Sequence, residues 1–106
     1  MTKAKSKLRI DLRAVVYKED GFWLAHCLEL DIVAEGKTGD EAVDALISLC
    51  ETQVNVAIEE GDLSPIFRPA PSEYWRMFFS GGDRRTFKAK TRLPVERLEA
   101  REAVLA

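Results

Sequence analysis

The sequence is short of the residue types that metal and redox chemistry require. Its 106 residues contain one histidine, His26, and two cysteines, Cys27 and Cys50. No CxxC or HxxxH spacing occurs, so a metal site is not expected. Two cysteines inside apolar patterns, in a chain without a secretory leader, read as buried thiols rather than a disulfide. No run approaches the roughly 18–20 uncharged apolar residues of a spanning helix. The basic start, Met1 to Leu8, is not followed by an apolar stretch with a small-residue cleavage site. These absences argue against a membrane protein and lead to the expectation of a soluble, cytoplasmic chain without a cofactor. No internal repeat or low-complexity tract is found. Hydrophobic residues make up 46% and charged residues 32%, which argues against a disordered or fibrous chain and for a single globular domain.

Charge is unevenly spread. The overall formal charge of −2 conceals +5 over residues 1–18, −11 over residues 19–62 and +4 over residues 63–106. An acidic middle between basic ends points to a division of labour, with the acidic block suited to a basic partner. For any single charge, solvation of an exposed face is the simpler explanation.

Alternation with period two over residues 8–17 predicts a strand with Leu8, Ile10, Leu12, Ala14 and Val16 on one face. Asp20-Gly21 between two apolar runs predicts a hairpin turn. Residues 22–28 form a second strand, apolar on both faces: Trp23, Ala25 and Cys27 against Phe22, Leu24, His26 and Leu28. Residues 30–35 form a third. Thr38 and Glu41 have the spacing of a capping box, and apolar residues from Ala42 to Ile58 recur at helical spacing until Gly61. Residues 8–62 therefore read as β-β-β-α: an α+β fold in which a three-stranded antiparallel sheet is packed by one long helix. One helix covers one sheet face, so the second face needs either the C-terminal segment or another subunit.

Residues 63–106 are expected to form a proline-containing aromatic connector, a basic strand and short helices. Five of the nine aromatic residues fall between Phe67 and Phe79. Ser72 is expected to cap a short helix there, and residues 80–83 to turn. Residues 84–93 alternate, placing Lys88, Lys90 and Arg92 on one face of a strand. Pro94 then opens a helix that runs to the end of the chain.

The stretch from Asp20 to Leu49 resembles the HicB family of bacterial antitoxins and their single-domain relatives. The resemblance is carried by Asp20-Gly21, Trp23, Ala25, Glu29-Leu30, Gly36, Thr38, Glu41-Ala42 and Leu46, in order along residues 8–62. The family often has Pro before its Glu-Leu pair and Gly soon after; here Leu28 and Asp31-Ile32 stand there. The resemblance implies a truncated ribonuclease H-like core and a non-enzymatic protein that neutralises a small, mRNA-cleaving HicA-like toxin. Single-domain relatives often end in a strand that joins the sheet, which the resemblance would place at residues 86–93. Other members carry a C-terminal ribbon-helix-helix or helix-turn-helix that binds operator DNA. Residues 87–98 resemble the opening of a ribbon-helix-helix, although Ala106 leaves no room for its second helix.

Candidate sites follow. Asp20, Glu29, Asp31 and Glu35 are candidates for contacting a basic partner, since acidic complementarity would speed encounter and block RNA. Tyr74, Trp75, Phe78 and Phe79 are candidates for a partner or dimer hot spot, with packing on the open sheet face as the alternative. Arg84, Arg85, Lys88, Lys90 and Arg92 are candidates for nucleic-acid contacts and for an autorepressor role at operator DNA. Asp11, Glu29 and Asp31 do not have the convergent placement that two-metal hydrolysis needs, so no catalytic residue is assigned. A solitary oligomeric scaffold with a non-toxin partner is a further alternative. The smallness of the β-β-β-α unit leads to the expectation of a homodimer or larger even oligomer, held partly by residues 65–93.

Overall fold

The alternation of the N-terminal third folds into an antiparallel meander. The computed structural model describes residues 9–80 and 85–103. Leu8, Arg84, most of the expected turn at 80–83 and the last three residues lie outside that description. Strand β1 spans Ile10–Glu19, β2 Phe22–Cys27 and β3 Ile32–Gly36. Asp20 and Gly21 join β1 to β2 with φ of 54° and 84°. Two successive residues at positive φ match the right-handed twist of the flanking strands, which is the reason for Asp-Gly there.

Helix α1, Gly39–Glu60, starts and stops where its capping residues stand. The Glu41 N–H donates to Thr38 Oγ1 at 3.1 Å. The Glu41 carboxylate accepts from the Lys37 N–H at 3.0 Å, one residue earlier than a standard capping box would place the bond. Gly61 closes the helix at φ 80° and donates to the Ala57 and Ile58 carbonyls. The apolar stripe of α1 packs on Leu12, Ala14, Val16, Ala25 and Cys27. Gly36 lies so close to the first turn of α1 that a Cβ there would come within 2.6 Å of the Ala42 nitrogen.

Three expectations are corrected in the C-terminal part. The basic strand expected over 84–93 is reduced to β4, Thr86–Phe87. The terminal helix expected from Pro94 is instead strand β5, Val95–Glu102. The sheet therefore has five strands in the order β3-β2-β1-β5-β4, rather than three, with β1 and β5 parallel and the other pairs antiparallel. A bulge explains the misreading. Ile10 pairs with Val95 and Asp11 with Arg97, so Glu96 is an extra residue. Val95 and Leu98, three apart, thereby both join the core under α1. That spacing imitates a helix in the sequence. As a helix, the segment would leave one edge of β1 without hydrogen-bond partners in a strand buried on both faces.

Helix α2, Ser72–Phe79, supplies the second cover from within the chain. Ser72 is its first residue, not its cap; Pro71 holds the cap position and no side chain bonds there. Phe78, 1% exposed, seals a second core with Val15, Tyr17, Leu28, Ala70 and Ala103. The Trp75 indole N–H donates to the Ala70 carbonyl at 3.1 Å, and the Ala70 N–H donates to the Leu28 carbonyl at 2.7 Å. The apolar demand that pointed to a second subunit is largely met inside one chain. Among the described residues, no helix is long and apolar enough to cross a membrane.

Phe78→Ala should lower unfolding stability by about 3–5 kcal/mol, the usual cost of emptying a packed aromatic site. Phe79→Ala, at a side chain 61% exposed, should change it by about 0.5 kcal/mol. Urea titration of both variants checks the assignment of α2 as a cover; equal losses would contradict it.

Candidate partner-binding site

Three of the acidic candidates, Glu29, Asp31 and Glu35, lie along the β2–β3 connection and β3, while Asp20 sits in the β1–β2 turn, and the local backbone explains their division into two kinds. Strand β2 leaves the sheet at Leu28, whose N–H still donates to the Arg13 carbonyl at 2.8 Å. The next ladder partner of Arg13 is missing, and the Glu29 carboxylate replaces it. One oxygen accepts the Arg13 backbone N–H at 2.8 Å and the other accepts from its guanidinium at 2.7 Å. Glu29 is therefore a structural residue, poorly placed to greet a partner.

Asp31 is also engaged. It turns the chain at φ 54°, a left-handed conformation that Asp tolerates better than most residues. Its N–H donates to the Cys27 carbonyl at 2.9 Å. Its carboxylate lies 2.6 Å from His26 Nε2. A carboxylate only accepts, so Nε2 carries a proton. His26 is 5% exposed and its Nδ1 has no protein partner. The Tyr74 ring of α2 sits 4.3 Å from the imidazole, centroid to centroid, and also stacks on Tyr17 at 6.2 Å. Burial, then the neighbouring Tyr74 and Glu19, push the Tyr17 phenol up from 10.0 to about 12.

Asp20 and Glu35 are different. Both are exposed, and among the described residues neither has an ion-pair partner. Glu35 stands opposite Leu24, and Val33 opposite His26, on the sheet face that carries α2. α2 stops short of this margin, leaving Val33 and Phe22 nearly half exposed. These two apolar residues are functional candidates that the sequence reading did not pick out. Val33 follows the alternation of the third strand, but only the position of α2 reveals that its face is uncovered.

The aromatic candidates are mostly consumed by the fold. Phe78 is buried, Tyr74 and Trp75 are half-buried against the second core, and Phe79 alone of the four is freely offered to a partner. The basic candidates lie at the opposite margin of the sheet. Arg85 stacks on Phe87 at 4.2 Å and pairs with Glu102 at 3.3 Å. Lys88, Lys90 and Arg92 are exposed in an irregular segment outside the sheet, and the Arg92 N–H donates to Glu51 of α1 at 2.8 Å. A strand rather than a helix follows them, so the ribbon-helix-helix layout is not formed by the described residues.

The remaining chemistry-bearing groups are tied up structurally. Asp11 pairs with Arg97 at 3.4 Å. Cys27 and Cys50 are fully buried. A hydrogen bond with Cys27 and then burial push the Cys50 thiol well above its ordinary range, which leaves little thiolate for reaction. Among the described residues, no three His, Cys, Asp or Glu side chains converge as metal ligands. No protein-family model, no curated protein and no solved structure matches the chain.

Asp31→Ala should cost about 1–3 kcal/mol by leaving the buried His26 N–H without an acceptor, whereas Glu35→Ala should be within about 0.5 kcal/mol of wild type. Denaturant midpoints distinguish the two roles. The raised Tyr17 value favours the neutral phenol in the folded state. Its contribution is whole below pH 10.0 and is lost as pH rises through about 12. Tyr17→Phe should therefore flatten the fall in stability across that window, as read from urea midpoints at successive pH values.

Proposed function

We propose that the chain is a non-enzymatic, HicB-like antitoxin-type protein that binds a small, basic HicA-like ribonuclease and blocks its access to mRNA. The reading rests on the family resemblance of residues 8–62, and the observation that carries the binding surface is the acidic, uncovered margin at β3. There Glu35 holds unpaired negative charge beside exposed Val33, and Asp20 and exposed Phe22 stand together at the neighbouring β1–β2 turn. Such a patch combines the two ingredients of a protein interface: an apolar centre and charges that steer the opposite sign toward it. An RNA-cleaving partner must be basic where it holds phosphates, so the same charges that attract it would occupy its substrate groove. The β-β-β-α succession followed by a strand that joins the sheet is consistent with a single-domain relative of this family, with β5 as that strand. The finer fold assignment, a truncated ribonuclease H-like core, belongs to the same proposal.

The test is co-expression with a HicA-like ribonuclease encoded beside this chain. Growth should be rescued, and the two purified proteins should bind with an association rate that falls as salt rises. Asp20→Lys with Glu35→Lys should slow association at least about tenfold at low salt, while Glu29→Gln should act through stability instead. If the chain neither rescues growth nor binds the ribonuclease, the antitoxin reading is lost.

A further inference from the structure

The two margins of the sheet carry opposite charge and opposite needs. At one margin, β3 has no strand on its outer edge among the described residues. Natural edge strands are protected by proline, by bulges or by inward charges. β3, with the sequence IVAEG, has no proline and an unbroken register with β2. Its only charge, Glu35, lies on the α2-side face together with exposed Val33.

At the other margin, the chain leaves β4 and continues through Lys88, Ala89 and Lys90 outside helix and strand, with exposed and covered residues still alternating. Phe87 and Ala89 pack in the core beneath α1. Lys88 and Lys90, alternating with them, are exposed and have no ion-pair partner among the described residues. By that alternation they belong to the same sheet face as Glu35 and Val33.

The geometry points to head-to-tail association between copies of this chain, the 86–90 segment of one copy adding to the β3 edge of the next. Strand direction supports it. β3 and β5 both run parallel to β1, since β2 is antiparallel to β1 and to β3. β4 is antiparallel to β5. A second copy placed beside the first in the same orientation therefore brings its 86–90 segment antiparallel to β3, the more stable pairing. It also sets Lys88 and Lys90 across from Glu35 on one face, as cross-strand pairs of opposite sign. Neither edge suits itself: two β3 edges would oppose like acidic charges, and two 86–90 segments like basic ones. The contact is thus heterologous, unlike the self-complementary dimer expected from the sequence. It does not depend on the antitoxin reading, because no foreign partner is needed for it.

The experiment is sedimentation velocity on the full chain over a range of concentrations. At low salt, about 0.05 M, the mass should rise above 12.0 kDa with concentration, and at about 1 M salt it should fall back, as screening predicts. Glu35→Lys alone, and Lys88→Ser with Lys90→Ser, should each remain near 12.0 kDa at low salt. Each variant retains one intact margin, so mixing them in equal amounts should give a discrete species of twice the 12.0 kDa chain mass that does not grow further. Circular dichroism verifies that the exposed substitutions leave the fold intact. A wild-type mass of 12.0 kDa at every concentration would overturn the inference. So would variants that assemble as the wild type does, or a mixture that stays monomeric.

Discussion

Strand β1 is buried on both faces over its middle, from Ala14 to Tyr17, and this double burial governs the rest of the molecule. An apolar strand at the centre of a sheet needs a cover above, a cover below and a hydrogen-bonded neighbour on each edge. The chain meets the four needs with four separate segments. α1 covers one face and α2 the other, while β2 lies on one edge and β5 on the other. The β2–β3 connection belongs to the same solution. Glu29 bonds the Arg13 N–H that β2 abandons, and Leu28 ties the segment before α2 to the sheet through Ala70.

This arrangement also places the candidate site. α2 has eight residues and covers Val15, Tyr17 and Leu28, but it covers neither Val33 on β3 nor Phe22 at the start of β2. The exposed Val33 and Phe22 are the uncovered remainder of that face, and Glu35 lies among them because a strand alternates its faces regardless of whether a cover is present. The site thus lies where the second helix leaves this face uncovered, at β3 and at the start of β2. The buried His26 lies just inside the boundary, bonded to Asp31 and touching Tyr74.

What could be read from the sequence was local. The Asp20-Gly21 turn, the two faces of β2, the Thr38 cap and the Gly61 stop each depend on residues within a few positions of one another, and each is realised. β5 could not be read the same way. Val95 and Leu98 have helical spacing, Glu and Arg are good helix formers, and the bulge at Glu96 that reconciles them with a strand is created by pairing with residues far away in the chain. The acidic candidates show the same limit. Four carboxylates with one composition divide into structural ones, Glu29 and Asp31, and free ones, Asp20 and Glu35, only when their partners are known. The aromatic cluster was recognisable as something that docks, but its docking on this chain's own sheet depends on long-range packing.

The parallel pairing of β1 with β5 has a consequence for synthesis. Ile10 finds its partner, Val95, only after all the residues between them have been made. Until then, a nascent β1 holds β2 on one side and nothing on the other, while Val15 and Tyr17 wait for α2. β1 is thus made well before the strand that closes its second edge, so that edge stays open until β5 has been synthesised. Loss of the last dozen residues would do more than shorten an appendage; it would uncover the edge of the central strand.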